Sequence, residues 1–327
     1  MKATQISSYG APDVLRVTDV ARPEPGPGEV LVSVGASSVN GHDALVRSGG
    51  MKIVSGRRFP IGVGLDFAGA VAATGAGVDS VTIGEAVWGT VHPREKRVVG
   101  GAAEYVVVAA DRVGPVPAGV SAVEAAALVV PGITALTALR DATHLAKGES
   151  VLVRGAAGGV GTATVQLAHA FGARVTALAR ARHAAALTDL GAARVLDYRE
   201  TTPEEIGPFD VIVDTVGTDL ARYRRRLSSG GRMVTVGLSG PAIAAIAAST
   251  VFGARRIRTF SANPHTAQLA ELAGQVASGA LRPVINGVYP LDDITSAHRA
   301  FDEGGVLGRQ VVQIMRTIGP DVSGKSA

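Results

Sequence analysis

Residues 155–161 carry the clearest chemical pattern in the chain, a glycine-rich turn with the sequence GAAGGVG. The turn follows a β-branched run at residues 151–154 and leads into helix-forming residues 162–168. Glycines in a strand–turn–helix unit let backbone N–H groups approach a pyrophosphate, which then lies at the positive end of the helix. A purely structural turn would also use glycine, but strand, turn, helix and next strand fall in register here, which favours dinucleotide binding. The binding residues predicted on this loop are Gly155, Ala156, Gly158, Gly159, Val160 and Gly161.

The residues after the second strand indicate which dinucleotide is bound. An NAD-preferring site usually carries an acidic residue about 20 positions further on, which binds the adenosine ribose hydroxyls. This chain has Ala179 at the strand end, then Arg180 and Arg182, and no carboxylate before Asp189. Guanidinium groups form charge-assisted pairs with a 2′-phosphate. The alternative is that they solvate the start of a helix, where their charge opposes the helix dipole. The pattern favours NADP(H), with either arginine on the phosphate.

The elements around this loop predict a doubly wound parallel sheet. A capping-box pattern at residues 121–124 opens an alanine-rich helix. Strands then alternate with helix-forming segments, as in a parallel sheet with right-handed crossovers. The six predicted strands cover residues 150–154, 174–179, 194–197, 209–216, 232–237 and 256–260.

The chain before residue 116 predicts a barrel or sandwich, because short alternating strands are separated by closely spaced Gly and Pro. Strands are expected at residues 29–39 and 103–108, and a short helix at 41–48. The final segments are too short to fold alone and are expected to rejoin this first domain. They are a strand at 283–289, a helix at 292–302 and a strand at 310–315, and a helix at 265–278 leads into them. The predicted domains are therefore 1–120 completed by 280–316, then 121–279, with a frayed tail at 317–327.

Composition excludes several classes of function. The 327 residues contain no cysteine, which removes disulfides, thiol nucleophiles and thiolate zinc sites. Thirty-two basic against 28 acidic residues give a net charge of +4, too mild and too dispersed to indicate nucleic-acid binding. Apolar stretches such as 241–252 are too short to cross a bilayer, and no signal-like core follows Met1. A cytoplasmic protein without a membrane partner is expected.

The motifs together resemble the medium-chain dehydrogenase/reductase superfamily, specifically its zinc-free quinone oxidoreductase-like branch. The resemblance runs from about residue 1 to 316. Its marks include Val39-Asn40 with Asp43, Arg47 and Gly49, the segments 64–69, 101–105 and 155–161, Asp197-Tyr198, the segment 214–217, and Gly308-Arg309. The resemblance implies a GroES-like catalytic domain around a Rossmann domain, with the active site in the cleft between them.

Several residue roles follow from this resemblance alone. Asn40 matches a residue near the nicotinamide ribose, and Thr134 matches one that contacts the cofactor near its nicotinamide end. Tyr198, with Arg180 or Arg182, matches positions that touch the 2′-phosphate. The backbone segments that match those lining the nicotinamide contain Val216, Gly217, Gly237, Leu238, Phe260 and Ser261. Zinc-dependent relatives carry Gly-His-Glu where this chain has Gly64-Leu-Asp66, so no metal is expected. The alternative is a zinc site built from His42, Asp66 and another His.

Asn40 and Asp43 are the candidate catalytic residues, with helix capping as the alternative role for both. We expect Asp66, alone in an apolar stretch, to be bonded structurally. No Ser-His-Asp set or paired carboxylates are recognisable, and no tyrosine occurs between Val39 and Phe67 to donate a proton.

The chemistry is therefore expected to depend on the cofactor: NADPH-dependent reduction of a conjugated carbonyl, with solvent delivering the proton. The alternatives are a carbonyl reductase or alcohol dehydrogenase, and a non-catalytic crystallin-like or RNA-binding protein that binds NADPH. An edge strand at 256–260 beside the apolar run 243–252 predicts a homodimer. The alternative is that this run packs inside the Rossmann domain or lines the substrate cleft.

Overall fold

The computed structural model describes residues 1–52, 58–91, 99–237, 240–251 and 256–315, apart from the side chains of residues 240 and 251. Leu238 and the predicted tail at 317–327 lie outside the described residues. The chain divides into two compact units. The first contains Met1–Ala126, Gly287–Asp302 and the chain from Gln310, and the second contains Ala127–Asn286 and Glu303–Arg309.

Sixteen strands and eight α-helices are found in the described residues. The strands are β1 Lys2–Ile6, β2 Leu15–Asp19, β3 Glu29–Ser38, β4 Ile61–Gly62, β5 Asp66–Thr74, β6 Ala86–Thr90, β7 Tyr105–Ala109, β8 Val113–Pro115, β9 Ser150–Arg154, β10 Arg174–Ala179, β11 Arg194–Asp197, β12 Phe209–Asp214, β13 Leu227–Thr235, β14 Ile257–Arg258, β15 Ile285–Pro290 and β16 Arg309–Gln313. The helices are α1 Gly41–Ser48, α2 Ala122–Leu136, α3 Gly159–Ala170, α4 Ala184–Asp189, α5 Leu220–Arg224, α6 Gly240–Val251, α7 Thr266–Ala277 and α8 Ile294–Glu303.

The first unit is built on antiparallel sheets, as its short alternating strands predict. One sheet has the order β15-β16-β3-β5-β6-β8, with β7 also paired to β3, and a second has the order β2-β1-β4. Inward-facing side chains such as Val32, Phe67 and Val106 form a common core. The predicted helix at 41–48 is confirmed as α1, which ends where Gly49 adopts a left-handed φ of 82°.

The second unit contains the predicted parallel sheet, with strand order β11-β10-β9-β12-β13-β14. In chain order this is 3-2-1-4-5-6, the arrangement of a Rossmann sheet, whose order reverses between β9 and β12. All six strands were predicted, but three have other ends. β12 stops at Asp214 instead of residue 216, β13 begins at Leu227 instead of 232, and β14 covers only Ile257–Arg258. β14 lies at the sheet edge, as expected.

The expectation that the apolar stretches of the chain are too short to cross a membrane was wrong. Helix α2 continues through a π-helical turn at Thr137–Ala142, and Ala122–Ala142 is long and apolar enough, by length and composition, to cross a membrane. However, 72% of its most apolar window is buried inside the protein, and the core helices of soluble proteins pass the same test.

The helix begins at the predicted capping box, in which the Ser121 N–H donates to Glu124 Oε2 at 2.9 Å.

Candidate functional site

The glycine loop, residues 155–161, connects β9 to α3 and leaves no room for side chains at two of its glycines. Gly155 has a φ of +70°, and a Cβ there would lie 2.3 Å from Thr215 Oγ1. A Cβ on Gly161 would lie 2.2 Å from the carbonyl oxygen of Gly155. The Gly158 N–H donates to the same oxygen at 3.0 Å, which closes the turn just before α3 begins. The loop therefore brings bare backbone to the positive end of a helix, where a pyrophosphate is favoured.

A segment that sequence reasoning did not assign packs on this loop. The Gly308 N–H donates to the Ala157 carbonyl at 2.7 Å. The Arg309 side chain covers Gly159 so closely that a Cβ on this glycine would lie 2.0 Å from Arg309 Cδ. Arg309 is buried, with 6% of its surface exposed. A guanidinium at the positive end of a helix adds to the charge of the helix dipole, so an anion there would be favoured by both.

The two predicted phosphate arginines converge at Gly305. Arg180 Nε donates to the Tyr198 hydroxyl at 2.9 Å, and this bond lowers the pKa of Tyr198. Arg182 Nη2 donates to the Gly305 carbonyl, which His183 Nε2 also approaches at 3.1 Å. A Cβ on Gly305 would lie 2.8 Å from Arg180 Cζ. The structure thus brings together the three residues predicted for the 2′-phosphate, beyond the end of β10.

Asp197 also lies at this end of the sheet, although a search along the chain that stops at Asp189 misses it. Parallel pairing places Asp197 opposite Ala179, the last residue of β10. Its oxygens accept the backbone N–H groups of Arg199 and Ala181, each at 2.8 Å, and these bonds lower its pKa. This carboxylate therefore supplies part of the negative charge that the sequence argument assigns to a phosphate.

The predicted nicotinamide-lining residues Val216 and Gly217 form a turn at residues 215–218, directly after β12. Asp214 Oδ1 accepts the N–H groups of Val216 at 3.2 Å and Gly217 at 2.7 Å. This side-chain bonding explains why β12 ends at Asp214. Gly217 has a φ of +80°, and Gly237 approaches so closely that a Cβ on it would lie 2.4 Å from the Gly217 nitrogen. Val216 keeps 47% of its surface exposed.

The remaining predicted cofactor residues in the described part of the chain are Thr134, Phe260 and Ser261. Thr134 is buried in α2, while Phe260 is half-buried and Ser261 exposed after β14. Their assignment to the cofactor stays a prediction.

In the first unit, Asn40 and Asp43 have the capping role that was their alternative. The Asn40 N–H donates to Asp43 Oδ2 at 2.9 Å at the start of α1. Asn40 Nδ2 donates to the Ser38 carbonyl at 3.0 Å and to Asp66 Oδ2 at 2.9 Å, which uses both amide hydrogens. Asp66 is fully buried and also accepts the Ser38 N–H at 2.6 Å, so its expected structural role is confirmed. The catalytic assignment of Asn40 and Asp43 stays a prediction.

Beyond Asn40 and Asp43, a group of ionisable side chains lies on α1 and α8. Burial alone would raise the pKa of Asp43, but His42 and the Asn40 N–H lower it overall. Burial lowers the pKa of His298 to about 4, with the charges of Asp43 and Asp302 acting against this and that of Arg47 adding to it. Arg47 Nη2 lies 2.6 Å from Asp302 Oδ2. Among the residues that the structure describes, no three His, Asp or Glu side chains are grouped as metal ligands would be.

Comparison with known proteins places this geometry in a family. A family model described as an alcohol dehydrogenase GroES-like domain matches residues 26–118, and one described as a zinc-binding dehydrogenase matches 190–312. The quinone oxidoreductase of Lama guanicoe is 33% identical, over 97% of this chain and 98% of its own. The chain belongs to the zinc-free quinone oxidoreductase-like branch of the medium-chain dehydrogenase/reductase superfamily. The predicted family and the GroES-like plus Rossmann fold class are confirmed.

Solved structures agree with this membership. The quinone oxidoreductase of Coxiella burnetii has a TM-score of 0.88 and 30% identity, covering 96% of this chain and 99% of its own. The Escherichia coli quinone oxidoreductase, solved in complex with NADPH, has a TM-score of 0.85 and 25% identity, covering 96% and 100%. The absence of cysteine sets this oxidoreductase apart from zinc enzymes with thiolate ligands.

Proposed function

We propose that this NADP(H)-binding oxidoreductase reduces a conjugated carbonyl, such as a quinone or an enone, without a metal ion. The observation that carries the proposal is the glycine loop at the head of α3, with Arg180, Arg182 and Tyr198 gathered beyond the next strand. The loop offers backbone donors to a pyrophosphate, and the arginines offer charge to a 2′-phosphate. The match to quinone oxidoreductases along nearly the whole chain supports this substrate class.

The residues present fit a dinucleotide. The glycine loop requires glycine at residues 155 and 161, where a Cβ would clash with Thr215 and with the Gly155 carbonyl, and Arg309 lies against the loop. The 215–218 turn, held by Asp214, would lie along the nicotinamide. When bound, the reduced nicotinamide would supply the hydride, while the protein would orient it towards the substrate.

The carbonyl oxygen of the substrate needs a proton or a hydrogen-bond donor as it gains charge. Asn40 is a poor donor in this structure because Ser38 and Asp66 already accept both of its amide hydrogens. The pKa of Asp43 is lowered, so it is ionised near neutral pH and holds the Asn40 N–H. We therefore propose that Asn40 and Asp43 stabilise the loop before α1, and that water delivers the proton.

A steady-state screen of NADPH oxidation tests the proposal. Quinones and enones should be turned over, and saturated ketones and aldehydes should react far more slowly. Fast reduction of saturated carbonyls, or oxidation of alcohols with NADP⁺, would instead favour a carbonyl reductase or alcohol dehydrogenase. NADPH binding without turnover of any class would favour a non-catalytic role. Activity should also survive exhaustive chelation, and a stoichiometric metal lost together with activity would contradict the metal-free chemistry.

A further inference from the structure

A buried ion pair crosses the centre of the Rossmann sheet at its switch point. Arg154 is the last residue of β9 and Asp214 the last residue of β12, and the parallel register sets them opposite one another. Arg154 is 4% exposed and Asp214 is fully buried. Arg154 Nη1 donates to Asp214 Oδ2. Gly155, the first residue of the glycine loop, directly follows this arginine.

The Arg154 guanidinium also holds the far end of the 215–218 turn. Its Nη1 donates to the Thr218 carbonyl at 2.7 Å. Its Cζ lies 3.7 Å from the centre of the Tyr223 ring, a cation–π contact that fixes the plane of the guanidinium. The turn is therefore bonded at its start through Asp214 and at its end through Thr218, and Arg154 contacts both.

Asp214 passes this restraint into the turn itself. While one carboxylate oxygen binds Arg154, the other accepts the N–H groups of Val216 and Gly217 and the Thr235 hydroxyl, the last at 2.9 Å. The main chain adds a second connection, because Thr215 Oγ1 donates to the Arg154 carbonyl at 2.9 Å. The glycine loop and the 215–218 turn are thus tied together through one arginine.

We propose that Arg154 is a positioning residue for the nicotinamide end of the cofactor, acting through Asp214 and Thr218. The inference depends on the proposed assignment of the 215–218 turn to the nicotinamide. A buried ion pair contributes little net stability compared with packed apolar side chains, because both charges lose their hydration. What this pair adds is a defined turn geometry at the point where the cofactor-binding segments meet.

Binding of two ligands, measured calorimetrically with the full chain, tests this role. NADPH carries the nicotinamide, whereas adenosine 2′,5′-bisphosphate contains only the adenosine end. Arg154→Met should weaken NADPH by at least about tenfold, since charged hydrogen bonds that shape its site are lost. The bisphosphate should bind within about twofold of the wild type. Arg154→Lys keeps the charge beside Asp214 but cannot reproduce the fork, so it should show the same selective loss to a smaller degree.

Arg232→Met is the matched control. Arg232 also forms an ion pair in this sheet, with Glu149 at 2.7 Å, but at the opposite end of β9. This variant should bind both ligands as the wild type does. Equal weakening of both ligands in the Arg154 variants would indicate a general distortion and overturn the proposal, as would unchanged NADPH binding. If Arg154→Met does not fold, Arg154→Lys decides by the same comparison. Because the readout is binding, a failure to find a conjugated carbonyl substrate would be a separate result.

Discussion

Replacing Asp66 with alanine should destabilise the first unit by about 3–6 kcal/mol. The buried carboxylate accepts the Ser38 N–H at 2.6 Å and Asn40 Nδ2 at 2.9 Å, as well as the Ser37 and Ser38 hydroxyls. Hydrogen bonds to a charged acceptor contribute about 1.5–3 kcal/mol each. Hydroxyl groups can rotate towards other acceptors, so only the two N–H donors are counted. Both would be left buried without this acceptor, and the loop before α1 would lose its anchor.

Urea unfolding followed by tryptophan fluorescence measures this loss in the correct unit. Trp88 is the only tryptophan of the chain, is fully buried, and lies on β6 beside β5, the strand that begins at Asp66. Asp66→Asn keeps the shape and one acceptor oxygen and should lose less. Asp79→Ala, at an exposed position of the same unit, should stay within about 0.5 kcal/mol of the wild type. A loss below about 1 kcal/mol for Asp66→Ala would refute the reasoning.

The double variant Arg180→Ala/Arg182→Ala should weaken NADPH at least about tenfold more than NADH, because only NADPH carries the 2′-phosphate, and equal losses in titrations would contradict the assignment. Burial lowers the pKa of His298 from 6.5 to about 4, so the unfolded chain binds this proton at a higher pH than the folded chain does. The free energy of unfolding should therefore fall below about pH 6.5, by up to about 3 kcal/mol near pH 4. His298→Asn should lack this part of the pH dependence in thermal unfolding. We propose a homodimer through β14 and the exposed apolar side of α6, where Ile243 is 60% exposed. Sedimentation equilibrium at micromolar protein should show a dimer that Ile243→Lys disrupts, and a wild-type monomer would contradict it.

The sheet of the second unit could be predicted because its signals are local. Each strand contains β-branched residues, and the segments between the strands contain helix formers. The handedness rule for parallel connections then leaves few topologies. The ends of the strands were less predictable where a distant partner decides them. β12 ends at Asp214 because its side chain bonds the next N–H groups, and the Arg154 that pairs with it lies 60 residues earlier.

The site was predictable where its residues are close in sequence and missed where pairing brings them together. The glycine loop and the capping pair of Asn40 and Asp43 are short patterns with a fixed spacing. Asp197 reaches the end of β10 only through the register of β11, and Arg309 reaches Gly159 only through the return of the chain. These two contacts cannot be predicted from the pattern of residues within a single segment.

The position of Asp197 bears on why the proposed site suits NADP(H) although a carboxylate lies close to Arg180 and the turn that carries Arg182. In an NAD site, a carboxylate about 20 residues after the glycine loop accepts the ribose hydroxyls. Here Asp197 accepts the N–H groups of Ala181 and Arg199 and so serves as the cap of the turn that carries Arg182. The carboxylate of Asp197 is thus hydrogen-bonded within that turn, while the guanidinium groups of Arg180 and Arg182 both lie beside Gly305. One capped carboxylate against two guanidiniums leaves a net positive region, and a 2′-phosphate is the adenosine substituent that such a region favours.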